Sequence, residues 1–338
     1  MKTMRLIAMM MVCLAITSCT NQWQPGDAIT SGHDYLCSAG ICEDTLHVGD
    51  DVNYNDDGKD LPHHILDLKA CQALGLDKVM GVDTTYSIVR VWGVRDYPDK
   101  GISLLLGQTS YSDTRTCWLA TYGKDGMLDF MRLGECGGMN LSYWDDVDEH
   151  IRHVGLDSMH LVMPEKFGKP IHVSRWISFN EQRDGVETDS TLWFIDNEVP
   201  ITIGADGLFS VGKIGTVYSA DSTLLTPYWR YKRQLEVMSW TPLSDKTFCD
   251  RVNALLDDAR GHITEPSQLL GDFHVLMMNR LYCDTENVMQ WCCDHRDSQL
   301  SRGMVKIMRE INPEYVLGEL KKIKDPAVAA RARKLLGL

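Results

Sequence analysis

This 338-residue chain lacks an apolar run of bilayer length: the uninterrupted run at residues 6–16 falls well short of the about 20 apolar residues a spanning helix needs. It also lacks a basic excess. Its 34 lysines and arginines face 47 aspartates and glutamates, a net charge of −13. No arginine-rich stripe with interleaved aromatics offers a local exception, so nucleic acid is excluded as a partner. No blade-length repeat runs through the chain, which argues against a propeller. No cysteine sits in a recognisable protease or oxidoreductase pattern, and no motif nominates a catalytic, cofactor-binding or metal-binding residue.

What is present begins with an address. Lys2 and Arg5 precede the apolar run and small polar residues follow it, which predicts a targeting segment over residues 1–18 rather than part of the fold. Ile16, Thr17, Ser18 and Cys19 resemble the lipobox of bacterial lipoprotein signal peptides. The resemblance implies cleavage before Cys19 and lipidation of Cys19 as the first mature residue, with palmitate-type chains forming the membrane anchor. Several acyl chains hold firmly where a single one binds only marginally. Position 20 is threonine, not the aspartate that implies inner-membrane retention, so the resemblance implies a bacterial cell-envelope protein at the outer membrane. No acidic cluster of the surface-export kind follows Cys19, which favours the periplasmic face. Removal of residues 1–18 leaves 32 basic against 47 acidic side chains, a net charge of −15.

Nine cysteines remain once Cys13 is cut away and Cys19 is lipidated. The number is odd, so at least one thiol stays free or pairs between chains, and the sequence does not fix the connectivity. Cys37 and Cys42 close a short loop, while Cys117 and Cys136 lie on what read as adjacent strands. His33, Cys37, Cys42 and Cys71 have a spacing that structural zinc sites tolerate, but a disulfide or simple burial is the plainer account in an exported chain.

Residues 19–33 carry Pro25, Gly26, Ser31 and Gly32 with few apolar positions and read as a tether. Residues 34–240 are predicted to form a mainly β domain and residues 241–338 a helical one. A short helix is expected over 64–79. From 84 to about 238, β-branched and aromatic runs are cut by turn residues, from "TYSIVRVWGV" and "GISLLLGQ" through "HLVM", "STLWFIDN" and "VPITI" to "RYKRQLEVM". Short connections make them an antiparallel meander, a curved sheet or partly closed barrel, with the clearest hairpin at Gly123, Lys124, Asp125 and Gly126. Beyond Thr241 the period becomes helical: Phe248, Val252, Leu255, Leu256 and Ala259 share a face that Gly261 ends. Pro266, Pro313 and Pro326 stand at first helical turns, and the last helix runs from Asp325 to Gly337. The fold class is therefore α+β, a meander followed by a bundle of about six helices. The final helix pair resembles a solenoid unit of HEAT type, and its excess of lysine and arginine suits an acidic partner or a solvated face.

Two polar segments invite chemistry. Asn53, Asn55, Asp57 and Gly58 match an EF-hand-like loop, but His64 stands where a bidentate glutamate belongs, so a solvated acidic turn is the better reading. Asp145, Asp146, Asp148, Glu149, His150 and His153 crowd together, yet Asp146 occupies the position where an inverted zincin motif wants histidine. These acids are too many to single out a glycosidase pair. Among the tryptophans, most of which are expected in the core, Trp176 is the candidate for an exposed sugar platform, since His172, Ser174, Trp176 and Ser178 alternate with Val173 and Ile177.

The segments "WLATYGKDGMLDFMRLGE" and "VPITIGADGLFSV" resemble β-rich lipoproteins of gut Bacteroidetes, a likeness of turns and strands that carries over no functional residue. The expectation is a non-enzymatic, lipid-anchored binding or scaffold module for a protein or glycan, with no cofactor. The alternative is an exported hydrolase with an acid-based or metal-assisted site.

Overall fold

The computed structural model describes residues 45–48, 64–66, 68–80, 87–111, 114–135, 141–144, 151–162, 164, 166–184, 186–213, 215–220, 227–263 and 267–338. Among them no helix is long and apolar enough to cross a membrane. The architecture is α+β. Strand β1 (Thr45–Val48) joins a sheet formed later in the chain. The next five form their own antiparallel sheet in chain order: β2 (His64–Leu66), β3 (Ser87–Tyr97), β4 (Ile102–Tyr111), β5 (Thr114–Gly123) and β6 (Gly126–Glu135). In β4, Leu104, Leu105 and Leu106 follow one another because both faces of this sheet are covered; Leu104 and Leu106 enter one core and Leu105 the other. Each such leucine contributes about 2 kcal/mol by leaving water. The expected hairpin is present, with Gly123 paired to Gly126 and Gly126 at φ 119°, a conformation that glycine adopts without strain.

The second sheet contains β7 (Leu141–Trp144), β8 (Ile151–Val162), β9 (Ile171–Arg183), β10 (Val186–Ile203), β11 (Phe209–Val211) and β12 (Gly215–Ala220), together with β1. Its centre is three long strands, β8, β9 and β10, with shorter ones in tandem along each edge. β7 and β1 pair successive parts of β8, and β12 and β11 pair successive parts of β10. The break on the β10 edge falls at Pro200, which has no N–H to offer a ladder.

The two sheets stack face to face. Leu106, Leu119, Met131 and Leu133 of the first share a buried cluster with Ile171, Val173, Val199 and Ile201 of the second. The meander is thus divided into two layers and does not close into a barrel. On the outer face of the first sheet, Trp118, Tyr122 and Phe130 meet Leu74, Leu76 and Val79 from two short helices, α1 (Leu68–Ala73) and α2 (Leu76–Met80). The single helix expected over 64–79 is instead a strand and these two helices, separated at Gly75, whose φ is +70°.

Helices α3 (Pro227–Ser239), α4 (Phe248–Arg260), α5 (Ser267–Cys283), α6 (Thr285–Asp294), α7 (Gln299–Glu310), α8 (Pro313–Leu320) and α9 (Pro326–Leu336) share a core that includes Leu256, Phe273, Met277, Met304 and Ala332. Helix α3 corrects the strand reading of "RYKRQLEVM". Tyr231, Leu235 and Met238 recur at spacings of four and three and turn towards the helical core, a period that no strand can present to one side. The caps follow the sequence closely: Asn312 and Asp325 accept the Glu314 and Ala327 N–H groups, and Gly337 ends α9 in the left-handed conformation.

Candidate functional site

Three buried polar side chains, Asp129, Thr241 and Arg280, gather where the sheets meet the helices. Residues 240–247 cross from α3 to α4 over the end of β6. Asp129 of β6 is 3 % exposed, and its carboxylate accepts four hydrogen bonds, from the N–H groups of Phe130, Phe209 and Ser244 and from the Ser244 hydroxyl, at 2.7–3.1 Å. One side chain thereby ties β6, β11 and the crossing segment together. Leu243 adds a backbone bond to the Phe130 carbonyl at 2.9 Å.

Arg280 of α5 holds the same segment from the other side. Its guanidinium donates to the carbonyl oxygens of Thr241, Pro242, Leu243 and Asp245 at 3.0–3.2 Å and lies over the Phe248 ring at 4.9 Å. Burial pushes this guanidinium down from its ordinary value, and the charges of Asp284 and Asp245 oppose the shift. A charged fork with five donors suits a row of carbonyls that would otherwise be buried without partners.

Beside this junction opens a cleft of about 450 Å³, walled by Phe209 and Val211 on one side and Trp240, Thr241 and Ser244 on the other. Asp245 and Arg251 also line it and pair at 2.8 Å. Burial raises the Asp245 carboxyl, but hydrogen bonds from Thr247 and the charges of Arg251 and Arg280 outweigh that and hold it below its ordinary value. The hydroxyls are engaged too: Thr241 donates to the Met238 carbonyl and accepts from Arg251, and Ser244 donates to Asp129. General acid–base work needs a group whose protonation changes near the working pH and whose reach extends to a ligand. Here the carboxyl is held below its ordinary range and the Thr241 and Ser244 hydroxyls already have partners, so these three polar groups stand in fixed positions on the cleft wall.

Cys19, the EF-hand-like residues Asn53, Asn55, Asp57 and Gly58, the run 145–150, and His33, Cys37 and Cys42 lie outside the described residues. His64 is on β2 and His153 on β8, paired in register with Tyr143 and Glu181. Cys71 is fully buried among Leu66, Leu74 and Leu76. Cys117 is buried between the sheets and free, opposite Gly134; Cys136 lies outside the described residues. Burial pushes the Cys249 and Cys292 thiols up to about 12 and raises Cys283 and Cys293, so these four remain protonated at neutral pH.

Trp92, Trp118, Trp240 and Trp291 are core residues, as expected of most tryptophans here. Trp176 stands mid-strand in β9, opposite Ser158 and Asp196. The alternation proposed around it holds at its start, with Ile171 and Val173 buried and His172 exposed, 3.4 Å from Glu198.

Sequence reasoning missed Asp129 and Arg280. Each left a trace, a charge set among apolar neighbours: "LDF" for the first and "VLMMNRLYC" for the second. A charge in such a place has to be paired or hydrogen-bonded. Compared with protein-family models, curated proteins and solved structures, the chain matches none.

Proposed function

We propose that this chain is a lipid-anchored protein of the bacterial cell envelope that works as a non-enzymatic binding or scaffold module for a protein or glycan. The observation that carries the binding half is the cleft itself, with three polar side chains held in fixed positions on its wall. Asp245, Ser244 and Thr241 line a ligand-sized concavity, and each is already fixed by intramolecular partners. The anchored half rests on the charged start, the short apolar run and the tetrad Ile16, Thr17, Ser18 and Cys19.

Metabolic labelling with a palmitate analogue in a bacterial host tests the anchor. The wild-type chain is expected to take up label and to sediment with outer membranes, and Cys19→Ala to lose the label and leave the membrane. Equal labelling of both would remove the lipoprotein reading.

A further inference from the structure

Charge is distributed unevenly along this chain. Residues 296–338 contain ten lysines and arginines against five acids, a net charge of +5, while the preceding 295 residues carry −18. The fold concentrates part of that local excess around a concavity. A groove of about 400 Å³ lies along the outer side of α7 and is edged by Arg296, Arg302, Lys306 and Arg309. Arg302, Lys306 and Arg309 are spaced four and three residues apart and so share one helix face, opposite the buried Leu300, Met304 and Met308.

Three of these cations are uncommitted. Arg296, Arg302 and Lys306 are exposed and have no ion-pair partner among the described residues. Arg309, by contrast, donates to the carbonyls of Leu335 and Leu336 at 2.8 and 3.1 Å and closes the end of α9 against the groove. Apolar wall is supplied by Val305 and Leu335, and Glu310 is the acid on the rim.

We propose that this groove docks an acidic segment of a partner protein, its carboxylates meeting Arg296, Arg302 and Lys306 and an apolar side chain seating between Val305 and Leu335. Three features favour that occupant. The groove is concave, whereas a flat anionic membrane is met by cations on a convex or planar face. None of its lining residues is aromatic, so it offers no platform on which a sugar ring or a base would stack. A chain of strong net negative charge repels a long polyanion, while a short segment inside the groove feels mainly the nearby cations, because charges beyond about 10 Å are screened at 0.1 M salt. This deepens the binding-module reading and rests on it only in taking the chain to act by association.

The test is fluorescence anisotropy of the purified chain lacking residues 1–18, with Cys19 replaced by Ser, using a labelled ten-residue peptide of aspartates and glutamates with two leucines. The acidic peptide is expected to bind at least about 10-fold more tightly than the same peptide with asparagine and glutamine in place of the acids. Arg302→Glu combined with Lys306→Glu is expected to weaken it about 10-fold or more, and 0.5 M salt to do the same. Both positions are exposed, so the folded state of the variant is checked simply by its circular dichroism. Equal binding of the two peptides, or an affinity unchanged by the double variant, overturns the proposal. So does tighter, groove-dependent binding of a sulfated oligosaccharide or of vesicles rich in phosphatidylglycerol, and so does a peptide-free dimer that the double variant dissolves. Failure of the peptide alone removes the groove and leaves the module reading standing, whereas turnover of a substrate removes the module reading.

Discussion

Trp118 and Gly107 face each other across β4 and β5, and the fully buried indole lies where a side chain on Gly107 would have to go. A Cβ there would fall 2.0 Å from the ring. The indole is hydrogen-bonded to Thr109 at 3.2 Å and enclosed by the core, so it cannot swing aside. Gly107→Ala is therefore expected to destabilise the fold by about 1–3 kcal/mol, measured as a lower urea midpoint at unchanged slope. Asp245 supplies a pH dependence. Its folded-state pKa is depressed, so its contribution is complete above the unfolded value of about 4 and is lost as pH falls through the folded one. Urea midpoints followed from pH 5 to pH 2.5 should decline less steeply in Asp245→Asn than in the wild type. Residues whose roles are local were legible in the sequence, as Asp325 and Gly337 show. Asp129 and Arg280 were not, because their partners lie up to 115 residues away and only the fold brings them together.

Helix α9 shows how much an element can declare in advance. Asp325 caps it, Pro326 opens it without an N–H to lose, and Gly337 closes it, all signals confined to a few neighbouring residues. Asp325→Ala is expected to cost about 1 kcal/mol, with amide exchange in α9 accelerating before that of α4 or α5. Where elements were misread, a local pattern admitted two periods. The segment at 230–238 mixes aromatic, charged and apolar residues at a density that suits a strand, and the spacing of Tyr231, Leu235 and Met238 decides for a helix only once there is a core on one side. In the long strand β10, "STLWFIDN" and "VPITI" read as two strands because Pro200 interrupts the pattern, yet β9 pairs along both parts and keeps them continuous. The triple leucine of β4 betrayed a strand without saying that a second sheet covers one face and helices the other.

As a whole, the molecule is a two-layer sandwich with helices packed on one side, joined where Asp129 and Arg280 grip the 240–247 crossing. The α+β class and the order of strands before helices were legible because hydrophobic period is a local property. The stacking of the sheets and the cleft beside the crossing were not, since both depend on surfaces far apart in the chain. The proposal that this body binds without transforming what it binds is tested most directly by incubating the purified chain lacking residues 1–18 with panels of glycans, esters and peptides and following products by mass spectrometry at substoichiometric protein. The account predicts no product beyond the uncatalysed rate. Multiple turnovers that fall by about 10²- to 10⁴-fold in Glu149→Gln or His153→Ala, the loss expected of a missing general acid or base, would contradict it.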